Sequence, residues 1–308
     1  MAQHAPLDPA RPPLADRVTV VIATQDRSRS LRHTLTRLGD LDHPPRIIVV
    51  DDASSDGTTD VVAREFPDVE VVSLRHAEGP VARNHGVRSA RTPYVAFSDD
   101  DSWWAPGALE RAAEVLDRHP RVAVIAARVV VEPGGRVDPI CHEMAHSPLD
   151  GDPAVPGVPV LSFLAGAAVV RRAAFHEVGG FEPRLRGGGE EESFACDLAA
   201  AGWEIRYVDA IVAHHRPAGG DKGLDRMLGI RNALWFAWRR RPVRSALRWT
   251  GYMVRATPWN RRFARAVAEA VRGLPWVLRT RRVTPPSVEA GLRALDHDKM
   301  TSEARRYG

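Results

Sequence analysis

Three consecutive carboxylates, Asp99, Asp100 and Asp101, are the residues of this chain that most need a chemical explanation. Like charges at this density repel one another and are costly unless a cation neutralises them. A solvated acidic turn before the next helix is the structural alternative. The run directly follows the apolar segment 94–98, which favours a cation site. Carboxylate oxygens at this spacing suit Mg²⁺ or Mn²⁺, ions that also bind phosphate oxygens.

The Asp51-Asp52 pair and Arg83 can likewise be interpreted as either structural or functional residues. Asp51 and Asp52 end a second apolar run and precede a turn-rich segment. They therefore indicate either turn chemistry or hydrogen bonding to a nucleobase or ribose. Arg83 lies on a helical segment opened by Gly79-Pro80. It is either a solvated surface charge or a group that orders the acids or contacts a phosphate.

A second acidic cluster, Glu190, Glu191 and Glu192, follows three glycines at a predicted helix start. The helix dipole favours carboxylates in a first turn, which would explain some acid here but not three adjacent ones. His214 follows a short apolar strand and is either a structural histidine or a ligand, with His215 as the competing choice.

The elements that must position these groups alternate between strand and helix. Strands are predicted at 18–23, 46–50, 69–74, 94–98 and 122–131, with helices between them. Repeated β-α units indicate an α/β fold with a mostly parallel sheet flanked by helices. Ligands bind at the carboxyl ends of the strands in such sheets. Asp26, Asp51-Asp52 and Asp99–Asp101 all fall just past predicted strand ends, so we expect them to meet there.

The sequence predicts that the chain has three parts. Residues 1–16 are Pro- and Ala-rich and predict a flexible tail, residues 17–216 a catalytic domain, and residues 217–308 a helical extension. Within the middle part, 133–159 is rich in Gly and Pro and predicts an irregular excursion. Helices are expected at 173–178 and 191–201, and one or two short strands at 203–213.

Composition disfavours a non-globular protein, a disulfide-rich protein and an integral membrane protein. Apolar residues make up 44% and charged residues 27%, which is typical of a globular chain. Cys141 and Cys196 form neither a disulfide framework nor a cysteine metal cluster. No apolar run reaches the roughly 18 residues of a membrane-spanning helix, and the N-terminus lacks a signal-peptide core. The sequence therefore predicts a cytoplasmic protein.

The extension is strongly basic, with 20 Lys or Arg against seven Asp or Glu in residues 217–308. It also holds five of the eight tryptophans. Two interpretations stay open: a helical subdomain whose aromatic residues pack on the catalytic domain, or an amphipathic surface in peripheral contact with an anionic membrane. No nucleic-acid partner is expected, because no binding motif accompanies the charge.

The motifs together resemble, in order and spacing, the family 2 glycosyltransferases of GT-A fold. The resemblance spans about 18–215. It rests on the segments Val20–Thr24, Val49–Thr58, Gly79–Gly86 and Phe97–Asp101, and on Gly179–Phe181, Gly189–Glu191 and His214 downstream.

This resemblance implies roles for the first cluster. Asp52 would bind the base or ribose of a nucleotide, with Thr24 and Asp26 near the same pocket. Asp99 and Asp101 match the outer acids of the family's D-x-D motif. Asp101 would hold the metal, and Asp99 would face the ribose or metal-bound water. Asp100 lies between them on the donor side, and Arg83 would support the site.

The resemblance also assigns the second cluster. Glu191 matches the second member of the family's Glu-Asp pair and is the candidate general base, although Glu190 and Glu192 stay open. Ser193 replaces an acid usual in the family. His214 would face the metal.

The implied activity is metal-dependent, inverting transfer of a sugar from a UDP-, GDP- or dTDP-linked donor to an acceptor hydroxyl. The acceptor classes are glycans, lipid-linked sugars and small molecules, and Mg²⁺ or Mn²⁺ is the implied cofactor. The alternative is a nucleotide-sugar-binding module with reduced catalysis. A nucleotidyltransferase is disfavoured, because residues 24–28 contain no glycine for a phosphate-binding loop.

Overall fold

A computed structural model of the protein describes residues 12–217 and 222–301. The strands in these residues are β1 (Val18–Thr24), β2 (Arg46–Asp51), β3 (Glu70–Ser73), β4 (Tyr94–Asp99), β5 (Ser102–Trp104), β6 (Val122–Val131), β7 (Arg136–Val137), β8 (Val158–Pro159), β9 (Ala168–Arg171) and β10 (Glu204–His215).

Helices flank the sheet and make up the C-terminal extension. They are α1 (Leu14–Arg17), α2 (Ser28–Gly39), α3 (Thr58–Glu65), α4 (Arg83–Ser89), α5 (Ala108–Arg118), α6 (Pro139–Ala145), α7 (Arg172–Val178), α8 (Glu190–Ala200), α9 (Lys222–Arg240), α10 (Val243–Ala256), α11 (Arg261–Arg272), α12 (Leu274–Arg279) and α13 (Pro286–Thr301). Short 3₁₀ segments occur at Gly79–Ala82 and Ala165–Ala167.

Eight of the strands form one sheet in the order β3-β2-β1-β4-β9-β6-β10-β5, to which β7 adds by pairing with β6 and β8 by pairing with β10. β1 is parallel to β2 on one side and to β4 on the other, so that Ala23 pairs with both Val50 and Asp99. After β1 the chain turns to β2 and β3, and it then returns to the other side at β4. The order therefore reverses at β1, the kind of switch point beside which ligands bind in α/β sheets.

The expected α/β architecture is confirmed, and the sheet is parallel from β3 to β4. Beyond β4 it becomes mixed, because β9 is antiparallel to both β4 and β6. β10 is parallel to β6 and antiparallel to the short strand β5. β10 is a single strand of 12 residues, with a register shift between Val208 and Val212. Its full length carries His214 and His215 to the edge where β4 ends.

Two expectations about irregular segments need correction. The excursion at 133–159 contains β7, α6 and β8, and Asp138 caps α6 by accepting a hydrogen bond from the Ile140 N–H. The expected tail at 1–16 lies partly outside the described residues, but Leu14 is buried at the start of α1. Within the excursion, the Asp138-Pro139 pair is a strong signal for a helix start. The high Gly and Pro content of the surrounding residues obscured this signal.

The extension shares its packing with the rest of the protein. Its own core includes Met227, Trp249, Met253 and Phe263. The main core nevertheless contains Phe236, Val288 and Leu292 from the extension. The predicted boundary between residues 216 and 217 stays a prediction, and hydrophobic packing crosses it.

A buried arginine fastens α13 to the end of α9. Arg241 donates hydrogen bonds to both carboxylate oxygens of Glu289, each at 3.1 Å, and to both of Asp296, each at 2.9 Å. Four of the five tryptophans of the extension are buried or half-buried, whereas Trp259 is 79% exposed. None of the described helices is long and apolar enough to cross a bilayer.

Candidate active site

A cleft of about 340 Å³ opens at the carboxyl ends of β1, β2 and β4. The predicted residues Thr24, Asp52, Arg83 and Asp99–Asp101 line it. Asp26 is placed differently, because its carboxylate accepts hydrogen bonds from the Ser55 N–H at 2.6 Å and the Ser55 hydroxyl at 3.1 Å. Asp26 therefore joins the turns after β1 and β2 and does not line the cleft.

Asp52 forms one wall of the cleft and orders the wall beside it. Its side chain is buried and accepts hydrogen bonds from the backbone N–H groups of Glu78 and Gly79, both at 2.7 Å. Its own N–H donates to the Thr24 carbonyl at 2.8 Å. A carboxylate oxygen accepts more than one hydrogen bond, so Asp52 retains capacity for a ligand.

Asp100 points toward β1 and α2. It accepts hydrogen bonds from the Thr24 hydroxyl at 3.0 Å and from Arg27 at 3.1 Å. Burial raises the pKa of Asp100 to about 6, with the neighbouring charges of Asp101 and Asp99 adding to the effect and Arg27 and Thr24 opposing it. Arg27 was not among the predicted site residues, although its position after a predicted strand end was a usable signal.

Asp101 faces a histidine on β10. Its Oδ1 lies 3.4 Å from Nε2 of His215, and its Oδ2 lies 3.6 Å from Arg27. The hydrogen bond with Asp101 raises the pKa of His215, against the effect of burial. The carbonyl of Asp101 accepts a hydrogen bond from the Arg216 N–H at 2.8 Å, which fastens the end of β10 to the acidic run.

His214, the histidine expected to face a metal, is directed elsewhere. Its ring stacks on Trp103 with centroids 5.5 Å apart, and its Nδ1 lies 3.1 Å from Glu132. His215 rather than His214 lines the cleft. The reason is that successive side chains of a strand point to opposite sides, so only one of two adjacent histidines faces the acids.

The donor set at Asp101 fits a divalent cation that is shared with a ligand. Mg²⁺ commonly binds through one or two carboxylates and completes its shell with water and phosphate oxygens. Asp101 offers one carboxylate and His215 offers one imidazole nitrogen at this end of the cleft. Within residues 12–217 and 222–301, no group of three His, Cys, Asp or Glu side chains is arranged to hold a metal ion by itself.

Arg83 connects the acidic run to the second acidic cluster. Its guanidinium is buried and forms an ion pair with Asp99. Burial acts to lower the pKa of Arg83, but the charges of Asp99, Glu190 and Glu191 raise it above its ordinary value. The structure thus brings both predicted acidic clusters to one arginine.

Glu190 and Glu191 lie at the start of α8. The Glu190 side chain is buried and accepts a hydrogen bond from the Gly188 N–H at 2.9 Å. Glu191 is half-buried. Burial raises the pKa of both carboxyl groups, and the charge of Glu190 raises that of Glu191 further.

Sequence reasoning missed the segment that carries Gly166. A Cβ atom added there would overlap Oδ2 of Asp99 and lie 2.6 Å from its Cγ, so the backbone passes directly against this carboxylate. The Ser102 hydroxyl accepts from the Asp99 N–H at 2.7 Å and donates to the Gly166 carbonyl at 3.1 Å. The residues next to Gly166 include no titratable side chain. The one sequence signal for their role was a glycine within a run of small, apolar residues.

Asn84 positions the loop that leads to α8. Its side-chain amide donates to the Phe181 carbonyl at 2.8 Å, and its oxygen accepts from the Phe181 N–H at 3.0 Å. This reciprocal pair fixes the start of the 180–189 loop against α4.

A model of the family described as glycosyl transferase family 2 matches residues 19–179. Among curated proteins, the chain is 36% identical over 220 residues to the pre-mycofactocin glycosyltransferase of Mycobacterium tuberculosis, covering 68% of this chain and 45% of that protein. It is 25% identical over 245 residues to the N-acetylglucosaminyl-diphospho-decaprenol L-rhamnosyltransferase of the same species, covering 66% and 77%. The chain thus spans about half the length of the first of these relatives.

Solved structures show the same fold at low identity. The mannosyltransferase PcManGT from Pyrobaculum calidifontis, in complex with GDP-Man and Mn²⁺, superimposes with a TM-score of 0.59 at 19% identity, covering 96% of this chain and 89% of that one. S. aureus TarS 1–349 in complex with UDP gives a TM-score of 0.53 at 21% identity, covering 71% and 65%. The GT-A architecture expected from the sequence is confirmed.

Proposed function

The chain belongs to glycosyl transferase family 2, and we propose from this premise that it transfers a sugar from a nucleotide-diphosphate donor to an acceptor hydroxyl. One observation carries the proposal: Arg83 forms an ion pair with Asp99, which lines the cleft, and the nearby charges of Glu190 and Glu191 raise the pKa of the same guanidinium. The donor cleft and a candidate proton acceptor therefore both lie near one buried cation.

The donor nucleotide occupies the cleft in this proposal. Asp52 and Thr24 take the base and ribose, because they line the cleft at the carboxyl ends of β1 and β2. A second cleft of about 540 Å³ adjoins the first and shares Arg27 and Asp101 with it. Arg29 and Arg216 also line this second cleft, which gives it the positive charge that suits a diphosphate.

Asp101 and His215 would hold Mg²⁺ or Mn²⁺ in this proposal. When bound, the ion neutralises charge on the diphosphate leaving group. Arg27 contributes positive charge beside the same carboxylate, at 3.6 Å from Asp101.

Glu191 is the proposed general base. It is half-buried, whereas Glu190 is 3% exposed and its carboxylate is fixed on the Gly188 N–H. A base must reach the hydroxyl whose proton it takes, and a raised pKa brings a carboxylate closer to the operating pH. Glu191 takes the acceptor proton as the hydroxyl attacks the anomeric carbon opposite the leaving diphosphate, and this single displacement inverts the anomeric centre.

The acceptor is a hydroxyl on a glycan, a lipid-linked sugar or a small molecule. The relative named as an N-acetylglucosaminyl-diphospho-decaprenol L-rhamnosyltransferase favours the lipid-linked class. Membrane contact would rest on Trp259 with exposed apolar groups such as Leu247 at 56%, since the other tryptophans pack inward. Sedimentation of the full chain with anionic and with neutral vesicles tests this contact. Binding to anionic vesicles that Trp259→Ala weakens would support it, and equal behaviour of both proteins would reject it.

A two-step experiment tests the proposed activity. UDP, GDP and dTDP are first screened for thermal stabilisation with and without Mn²⁺, which identifies the base. The sugar nucleotides of that base are then assayed for release of nucleoside diphosphate. Turnover that Glu191→Gln removes supports the proposal. Tight nucleotide binding without turnover would instead support the alternative of a binding module.

A further inference from the structure

Helix α9 of the extension contacts the glycine loop that precedes the Glu190–Glu191 pair. The side chain of Asn232 is fully buried, and its amide nitrogen donates to the Gly188 carbonyl at 2.6 Å and to the Arg186 carbonyl at 3.0 Å. Its oxygen accepts from Arg231 at 3.0 and 2.9 Å. The amide is therefore satisfied on both sides and has one orientation.

Gly188 is held from the opposite direction by the catalytic cluster. Its N–H donates to the Glu190 carboxylate at 2.9 Å, while its carbonyl accepts from Asn232. A residue of the extension and a carboxylate of the active site thus bind the same peptide segment.

The loop needs such external restraint. Gly187, Gly188 and Gly189 have φ values of +78°, +108° and +88°. Glycine adopts positive φ freely, but it also adopts many other conformations, so three in a row have little intrinsic preference. Leu228 of α9 adds a second restraint, because a Cβ atom on Gly187 would lie 2.7 Å from its Cδ1.

We infer that Asn232 is a positioning residue that fixes the Gly187–Gly189 loop and thereby holds the Glu190–Glu191 pair against Arg83 and Asp99. The inference rests on the proposed function. Without the Asn232 amide, the glycines would sample other conformations, the Gly188 N–H would leave Glu190, and the start of α8 would move relative to Arg83. The extension is then a part of the catalytic site and not a separable module.

Asn260 supplies a matched control within the same extension. Its side chain also makes a hydrogen bond to the backbone, accepting from the Phe263 N–H at 3.0 Å as the cap of α11. Loss of such a cap destabilises the helix that it begins. Asn260→Ala therefore reports general destabilisation of the extension, whereas Asn232→Ala removes the contact with the loop.

Hydrogen–deuterium exchange of the full chain tests the positioning without any assay of activity. We expect the amides of residues 187–191 to exchange faster in Asn232→Ala and to remain as in the unmodified protein in Asn260→Ala. Unchanged exchange in Asn232→Ala, or the same increase in both variants, would overturn the inference. If Asn232→Ala fails to fold, Leu228→Ala loosens Gly187 and the same comparison applies.

Kinetics then test the consequence for transfer. An error of about 1 Å in the placement of reacting groups can cost on the order of 100-fold in rate. We expect kcat per folded Asn232→Ala protein to fall by about this factor while the dissociation constant of the nucleoside diphosphate stays within about twofold. Equal losses in Asn232→Ala and Asn260→Ala would contradict a positioning role. An unmodified protein that turns over no sugar nucleotide, but shows the exchange difference, would reject the proposed function and leave the loop contact established.

Discussion

Nε2 of His215 lies 3.4 Å from Oδ1 of Asp101, while the adjacent His214 stacks on Trp103. Only His215 therefore shares the end of the cleft with the acidic run, and this assigns the two histidines different tasks that substitution can separate.

His215→Ala is predicted to weaken the binding of the metal ion that supports nucleotide binding. Loss of a group that binds or orients at a metal site typically costs about 10- to 100-fold in affinity. We therefore expect the Mn²⁺ concentration that gives half-maximal stabilisation by a nucleoside diphosphate to rise by about 10-fold or more. His214→Ala is the control and should leave this concentration unchanged. The opposite pattern would return the role to His214.

The pH dependence of kcat is predicted to identify the base. A base must be ionised, so kcat should rise with pH through the raised pKa of Glu191. The charge of Glu190 contributes to raising the pKa of Glu191. Glu190→Gln should therefore move the rise to lower pH, while Glu191→Gln should remove transfer. Removal of transfer by Glu190→Gln, with only a shift in Glu191→Gln, would assign the base to Glu190.

The same pair is predicted to make the folded protein less stable as pH rises. The ordinary pKa of a glutamate is 4.5, and burial raises the pKa of both Glu190 and Glu191 in the folded state. Between pH 4.5 and the raised pKa values, the folded state binds more protons than the unfolded state, so the free energy of unfolding falls with increasing pH. Urea denaturation across this window should show a shallower fall for Glu190→Gln than for the unmodified protein. An unchanged slope would mean that Glu190 titrates alike in both states.

Gly166→Ala is predicted to impair transfer by displacing Asp99. The added Cβ atom would overlap this carboxylate, which forms an ion pair with Arg83, while the backbone N–H of Asp99 is fixed on the Ser102 hydroxyl. We expect kcat/KM to fall on the order of 100-fold, the cost of misplacing a group by about 1 Å.

Gly39→Ala is the matched control for that substitution. Gly39 ends α2, and an added Cβ atom there meets no atom within 4 Å. Alanine in a helix is favoured over glycine by roughly 0.5–1 kcal/mol, so this variant should keep its activity and gain slightly in stability. Equal activity of the two variants would show that Asp99 tolerates the added methyl group.

Much of the site follows from local patterns in the sequence. Apolar, β-branched runs predict β1, β2 and β4, and parallel strands place their carboxyl ends at one edge. The meeting of Thr24, Asp52 and Asp99 at one cleft therefore needed no knowledge of long-range packing. The helix start at Glu190 was likewise readable, within one residue, from the glycines and acids around it.

The choice between His214 and His215 needed the tertiary structure. Side chains alternate along a strand, so the register of β10 decides which histidine faces Asp101. That register shifts between Val208 and Val212, where β10 changes its pairing with β6. An alternation of side chains between the two faces of the strand, extended along the sequence through this register shift, would therefore assign residues to the wrong face.

Contacts between distant segments also appear only in the folded chain. The sequence by itself determined which residue types carry the chemistry and at which strand and helix ends they stand. Tertiary structure alone decided that Gly166 lies against Asp99 and that Asn232 holds Gly188, since glycine and asparagine carry no periodic signal. These positions depend on which backbones approach one another, and that is a property of packing between elements far apart in the chain.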